Sequence, residues 1–195
     1  MLILALDLAT RTGWVMGEAD APPPDLTISG WRLRRTGQGP EVAAANLACY
    51  LRDLFSVSGV PDLICVEAFM RPEAMMSADA AILAIALHFV VQGIAGAYGV
   101  RVESVTAQTI RVHFCGRASA NPPRKKGQPR RTSREAAADR EATKNMVWKR
   151  AVALGYFPRA EAPDYDRSDA SAVFDYAAAT YARATRPFAL HGQVL

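Results

Sequence analysis

Four acidic side chains, Asp7, Glu67, Asp166 and Asp169, stand where a fold can gather carboxylates. Asp7 follows the apolar run Leu2–Leu6, and Glu67 closes a second one, Asp62-Leu-Ile-Cys-Val-Glu67. Asp166 and Asp169 are three residues apart at the start of a helical segment, hence on one helical face. Carboxylates held close repel strongly unless a cation sits between them. Hard oxygen donors of this kind suit Mg²⁺ or Mn²⁺. Two such ions about 4 Å apart can activate water, brace a phosphate and stabilise the leaving oxygen. That is the chemistry of phosphodiester hydrolysis. Taken singly, each acid has a plainer reading. A strand-end Asp is commonly a turn or cap residue, and Asp166 with Asp169 can be an N-cap and its third-position partner. Glu67 resists this most, because a Glu ending a central apolar strand is costly to bury without a partner.

Elements that would position these acids are legible along the chain. Leu2–Leu6 is short and continuously apolar, as a strand buried on both faces should be. Gly13–Gly17 and Leu26–Leu33 read as two further strands, separated by Pro22–Pro24. Glu41–Phe55 has helical spacing through Ala43, Leu47, Leu51 and Leu54. A fourth strand ends at Glu67, a long apolar helix follows over Ala80–Val100, and Arg101–Val105 is a fifth strand. Ala107–Phe114 reads as a short helix. Ser133 is placed to cap a helix over about Arg134–Leu154, and a last Ala-rich helix runs from about Asp169 to Ala184. The order β-β-β-α-β-α-β-α-α-α predicts one α/β domain over residues 1–195. Its expected core is a five-stranded mixed sheet with helices on both faces. Parallel strands one and four can then lie side by side and bring Asp7 to Glu67.

Charge is distributed unevenly. The chain has 195 residues, 23 Lys and Arg, 19 Asp and Glu, and a net charge of +4. Arg111, Arg117, Arg124, Lys125, Lys126, Arg130, Arg131 and Arg134 lie in one stretch without an acid, leaving a mildly acidic remainder. Residues 117–134 are also rich in Pro, Gly and Ser, and read as a flexible basic arm for a polyanion, of which nucleic acid is the commonest. Such contacts give affinity and position but little sequence reading; a solvated charged loop is the plainer alternative. Three well-separated cysteines, Cys49, Cys65 and Cys115, argue against a disulfide framework and for a cytoplasmic setting. The N-terminus lacks a cationic leader pattern and reads as a strand start. Ala80–Val100 is long enough to span a bilayer, but its His88, Gln92 and three glycines favour a buried core or interface helix, with no membrane partner.

The acidic segments and two others carry a resemblance. Ile3-Leu-Ala-Leu-Asp7-Leu-Ala-Thr-Arg-Thr-Gly13-Trp14 is similar to the opening strand, acid and Thr-Gly-aromatic turn of the RuvC family of Holliday junction resolvases, within the RNase H-like superfamily. Asp62-Leu-Ile-Cys-Val-Glu67-Ala-Phe69, Val105-Thr-Ala-Gln-Thr-Ile-Arg-Val and Asp166-Arg-Ser-Asp169-Ala-Ser-Ala resemble later segments of the family in the same order. Leu8-Ala9 replaces the usual Pro-Gly, which is closer to phage-type relatives, and the basic stretch is longer than is typical. The resemblance implies an RNase H-like fold and a Mg²⁺-dependent endonuclease acting on four-way or other branched DNA. It also implies two ions held by Asp7, Glu67, Asp166 and Asp169, and a homodimer. Lys144 and Lys149 look like basic residues of the family's penultimate helix.

DNA contacts are expected from Arg117, Arg124, Lys125, Lys126, Arg130, Arg131, Lys144 and Lys149. Phe69 is a candidate wedge against unstacked bases, with a core role as the alternative. Trp14, Trp148 and His88 read as packing residues, and His113 as a possible phosphate contact. Two rivals stay open: a less structure-selective nuclease of the same fold, and a catalytically silent DNA-binding module. An actin-like ATPase is excluded, since it needs two such domains and glycine-rich phosphate loops.

Overall fold

The computed structural model describes residues 1–69, 77–122 and 132–182. Five strands, Leu2–Asp7 (β1), Arg11–Glu18 (β2), Thr27–Arg32 (β3), Leu63–Glu67 (β4) and Arg101–Val105 (β5), form one sheet in the order β3-β2-β1-β4-β5. The β1–β2 and β2–β3 pairs are antiparallel, while β1–β4 and β4–β5 are parallel. Five α-helices among the described residues flank it: Pro40–Ser58 (α1), Ala78–Tyr98 (α2), Ala107–Cys115 (α3), Ser133–Ala153 (α4) and Tyr165–Ala177 (α5). This is the RNase H-like α/β architecture expected from the sequence.

Strand alternation divides the core in two. Ile3, Ala5, Val15, Leu63 and Cys65 face a cluster built with Ile110, Phe114, Trp148, Val173 and Phe174 from α3, α4 and α5. Leu4, Leu6, Met16, Ile64 and Val66 face Leu47, Leu51, Leu83, Leu87 and Val91 from α1 and α2. Each fully buried Leu or Ile contributes about 1.5–3 kcal/mol of transfer free energy, so both faces of β1 are anchored strongly. The same period places Asp7 with Ile3 and Ala5, and Glu67 with Leu63 and Cys65, on the side of α5.

Several boundaries differ from expectation for local reasons. Thr132, rather than Ser133, caps α4: its hydroxyl accepts from the Glu135 amide while Glu135 accepts from the Thr132 amide. The last helix begins at Tyr165 instead of Asp169, because Asp164 supplies the cap by accepting from the Arg167 amide at 3.2 Å. It continues as a π-helical turn over Ala178–Ala182, and the remainder of the expected span to Ala184 lies outside the described residues. Helix α2 is long and apolar enough to cross a bilayer by length and composition, yet its Leu83-Leu87-Val91-Ala95 stripe packs on the sheet. All three cysteines are free.

Helix α5 reaches the sheet through two glycines. Gly13 of β2 pairs with Asp7 on one side and Gly30 of β3 on the other. A Cβ at Gly13 would lie 1.9 Å from the backbone oxygen of Asp166, and one at Gly30 would lie 3.3 Å from the Thr12 oxygen. The first turn of α5 thus sinks into a notch that has no side chains. We expect Gly13→Ala to cost about 2–3 kcal/mol in urea unfolding, since α5 has to shift as a unit. A loss under about 0.5 kcal/mol would show that this approach is not tight.

Candidate active site

Register brings the two strand acids together. Leu6 of β1 is level with Val66 of β4, so Asp7 and Glu67 follow at the same end of adjacent parallel strands. Over them lies the first part of α5, whose Asp169 is one helical turn beyond Asp166. Buried Ser168 and Ser171 tie this turn internally by donating to the carbonyls of Tyr165 and Arg167, at 3.0 and 2.9 Å. Small residues at Ala170, Ala172 and Ala177 let α5 lie close to the sheet.

The four acids share one electrostatic environment. Burial raises the Asp7 carboxyl well above its ordinary value, and Asp169, Glu67 and Asp166 add to the shift in that order. Burial and then Glu67 push Asp169 up to about 6. Glu67 is raised by burial, with Arg111 and Lys144 opposing. Asp166 is raised by burial too, while Arg11 and Lys144 pull it down against Asp164. Asp7, Glu67, Asp166 and Asp169 are therefore one group of interacting charges, as their positions in the sequence suggest.

Chemically the set fits a hard divalent cation: oxygen donors only, mutually repelling, and each disfavoured as a bare anion. Among the described residues, no group of three or more His, Cys, Asp or Glu side chains is arranged to hold a metal ion as the side chains stand. Strand register and the start of α5 bring these residues to one end of the sheet, and holding an ion would need the carboxylates closer together than they stand.

Basic residues around the acids divide into two sets. Lys144 of α4, expected as a DNA contact, opposes the raised pKa of all four acids and lies 5.6 Å from the Tyr165 ring centre. Arg111 of α3 acts likewise on Glu67 and Asp169. By sequence Arg111 belongs only to the basic stretch; its place in the short helix directly after β5, the neighbour of Glu67's strand, is the signal that could have found it. Arg117 and Lys149 form the second set. They line a separate groove of about 510 Å³ with Met146 and Asn145. Arg117 Nε donates to the Met146 sulfur at 3.1 Å. Arg124, Lys125, Lys126, Arg130 and Arg131 lie outside the described residues.

Other side chains resolve as follows. Phe69 is 44% exposed and meets His88 edge-on at 4.9 Å, so it is not a core residue. His88 sits between two carbonyls, with Nε2 3.0 Å from Glu67 O and Nδ1 2.8 Å from Ala84 O. Trp14 and Trp148 are buried as expected. His113, the candidate phosphate contact, has its Nε2 3.0 Å from Asp175 Oδ2. A second cavity, about 220 Å³, opens beside Asp166 between β2, β3 and α5.

This arrangement of sheet and helices has counterparts among solved structures. The RuvC of Thermus thermophilus superposes with a TM-score of 0.56 at 14% identity, covering 94% of this chain and 96% of that one. The fold is RuvC-like. The same RuvC in complex with a Holliday junction substrate matches with a TM-score of 0.59 at 16% identity over 95% and 97% of the two chains. The yeast mitochondrial Holliday junction resolvase Ydc2 matches with a TM-score of 0.51 at 12% identity, covering 89% of this chain and 75% of that one. No protein-family model matches the chain, and no curated protein matches it in sequence. At these identities the RuvC likeness speaks for the fold.

Crowded acids make stability depend on pH with a definite sign. A carboxyl raised in the folded state supports folding fully below its ordinary pKa of 3.8, and that support is lost as pH rises through about 6, where Asp169 ionises. In EDTA, Asp169→Asn should therefore gain on the wild type as pH goes from about 4 to 7, ending about 5 °C higher in melting temperature. Millimolar Mg²⁺ should narrow the gap by stabilising only the intact set. Equal melting temperatures at pH 7 in EDTA would mean that the acids do not strain the fold.

Proposed function

We propose that this protein is a structure-selective endodeoxyribonuclease that hydrolyses phosphodiester bonds at four-way or other branched DNA with two Mg²⁺ ions, Mn²⁺ being able to replace them. The observation that carries this reading is the convergence of Asp7 and Glu67, from adjacent parallel strands, with Asp166 and Asp169 from one helix. Support for the substrate comes from the RuvC structure solved with a Holliday junction substrate. Divalent ions at these acids supply charge neutralisation at the scissile phosphate and a lowered pKa for attacking water.

The chain's own residues have separable tasks. Asp7, Glu67 and Asp169 form the inner donor group, and Asp166 stands at the rim. Lys144 and Arg111 reduce the repulsion among the acids and add positive potential where a phosphate approaches. Phe69, exposed just beyond Glu67, is placed to press against unstacked bases at a branch point. Arg117, Lys149 and the basic stretch with Arg124, Lys125, Lys126, Arg130 and Arg131 add contacts to the DNA backbone. Three free cysteines fit a cytoplasmic setting.

Two coordinated cuts call for two active sites, which a two-fold dimer supplies. The outer face of α2, with Ile82 54% and Phe89 72% exposed, is the surface we assign to that contact. Light scattering should find a dimer for the wild type and a monomer for Phe89→Glu; a dimer in both would move the contact elsewhere.

Cleavage itself is the deciding experiment. Synthetic four-way, Y-shaped and linear duplexes are incubated with Mg²⁺ and the wild type, Asp7→Asn or Glu67→Gln. We expect preferential cutting of the four-way junction and a loss of at least about 100-fold in either variant. Equal cutting of all three substrates would leave a less selective nuclease of the same fold. Binding without cutting would leave a DNA-binding module.

A further inference from the structure

Among the four acids, Asp166 is unlike the rest. Within the described residues it alone has a cation within ion-pair distance, Arg11 Nε at 3.3 Å from Oδ2. Arg11 opens β2, four residues after Asp7, and also lies 4.0 Å from Asp164 through Nη2. Asp164 is already committed elsewhere, capping α5 and accepting from Arg167 Nε at 3.0 Å. Arg11 is thus held mainly by Asp166, and loosely, because its side chain is 60% exposed. Exposed pairs of this kind are weak.

Two surroundings give this pair a direction. Arg11 and Asp166 both line the cavity of about 220 Å³, with Trp31 and Arg167 beside them, which leaves room next to the guanidinium. Asp166 also adds its charge to Asp7 and Asp169. A divalent cation carries twice the charge of a guanidinium and is attracted by all four acids at once. Arg11 cannot follow Asp166 into such a site without placing like charges together.

We propose that Arg11 is an exchangeable counter-charge: it holds Asp166 at the rim while the acids are empty, leaves it when a divalent cation arrives, and then grips a DNA phosphate. This rests on the metal-dependent nuclease reading and deepens it. Arg11 is a positioning residue, acting on the cation through Asp166. Its planar fork suits a backbone phosphate, so the released charge is reused instead of returned to solvent. By linkage, cation binding then strengthens DNA binding through Arg11, and DNA strengthens cation binding by the same factor.

Binding measurements on the full chain test this without relying on turnover. Mn²⁺ affinity is measured by calorimetry for wild type, Arg11→Gln, Arg11→Lys, Asp166→Asn and the Arg11→Gln/Asp166→Asn double variant. We expect Arg11→Gln to bind Mn²⁺ about three- to tenfold more tightly than wild type, with Arg11→Lys within about twofold of wild type. The gain should vanish in the Asp166→Asn background, because the competition runs through that carboxylate. Four-way junction binding is then followed against salt, with Ca²⁺ and without divalent ions. The Arg11→Gln slope should be lower by about one in Ca²⁺ and unchanged without it. Unchanged Mn²⁺ affinity in Arg11→Gln, or a gain that survives in Asp166→Asn, would overturn the exchange, as would equal salt slopes in Ca²⁺. Absence of Mn²⁺ binding in every variant would overturn the metal centre itself and this inference with it.

Discussion

The backbone contact between α5 and β2 is the constraint from which the rest of the site follows. Gly13 removes the one Cβ that would collide with the Asp166 carbonyl, and Gly30 leaves its neighbour equally bare. A helix carrying Ser168, Ala170, Ser171 and Ala172 can then bury its small-residue face on the sheet. Only at that depth does Asp169 come within the field of Asp7 and Glu67. Close packing of glycine against helix backbone delivers two of the four acids.

What is assembled there works against folding. Burial raises all four carboxyls, neighbouring acids add to this at Asp7, Asp166 and Asp169, and Lys144 and Arg111 offset only part of it. Such a cluster survives because two separate hydrophobic layers grip β1 and β4 from opposite faces. Both strands are nearly solvent-free along their length, so a locally unfavourable end is tolerated. Stability supplied by the strand interiors is spent at their carboxyl ends.

Much of this was legible in the residues. Continuous apolar runs ending in Asp7 and Glu67 identify buried strands with acids at one end, and the period of two assigns both acids to one face. Other features were hidden for physical reasons. The segment Pro163-Asp-Tyr-Asp-Arg-Ser-Asp169 offers three aspartates that can cap a helix, and only the tertiary approach of α5 selects Asp164. Helix α2 is apolar all round, so periodicity cannot say which stripe, Leu83-Leu87-Val91 or Ile82-Phe89, meets the sheet. Arg111 belongs by sequence to a basic tract and by position to the acids, and it takes the β4–β5 pairing to reveal the second fact.

His88 joins two regions that the chain order keeps apart. Its ring bridges the carbonyl of Ala84 in α2 to that of Glu67, while the next residue, Phe89, projects outward. The Nε2 contact ties α2 to the peptide bearing the glutamate, so a shift of that helix is felt at the acid's backbone. The outer wall of the molecule and one of its buried acids are, mechanically, two ends of a single short strut.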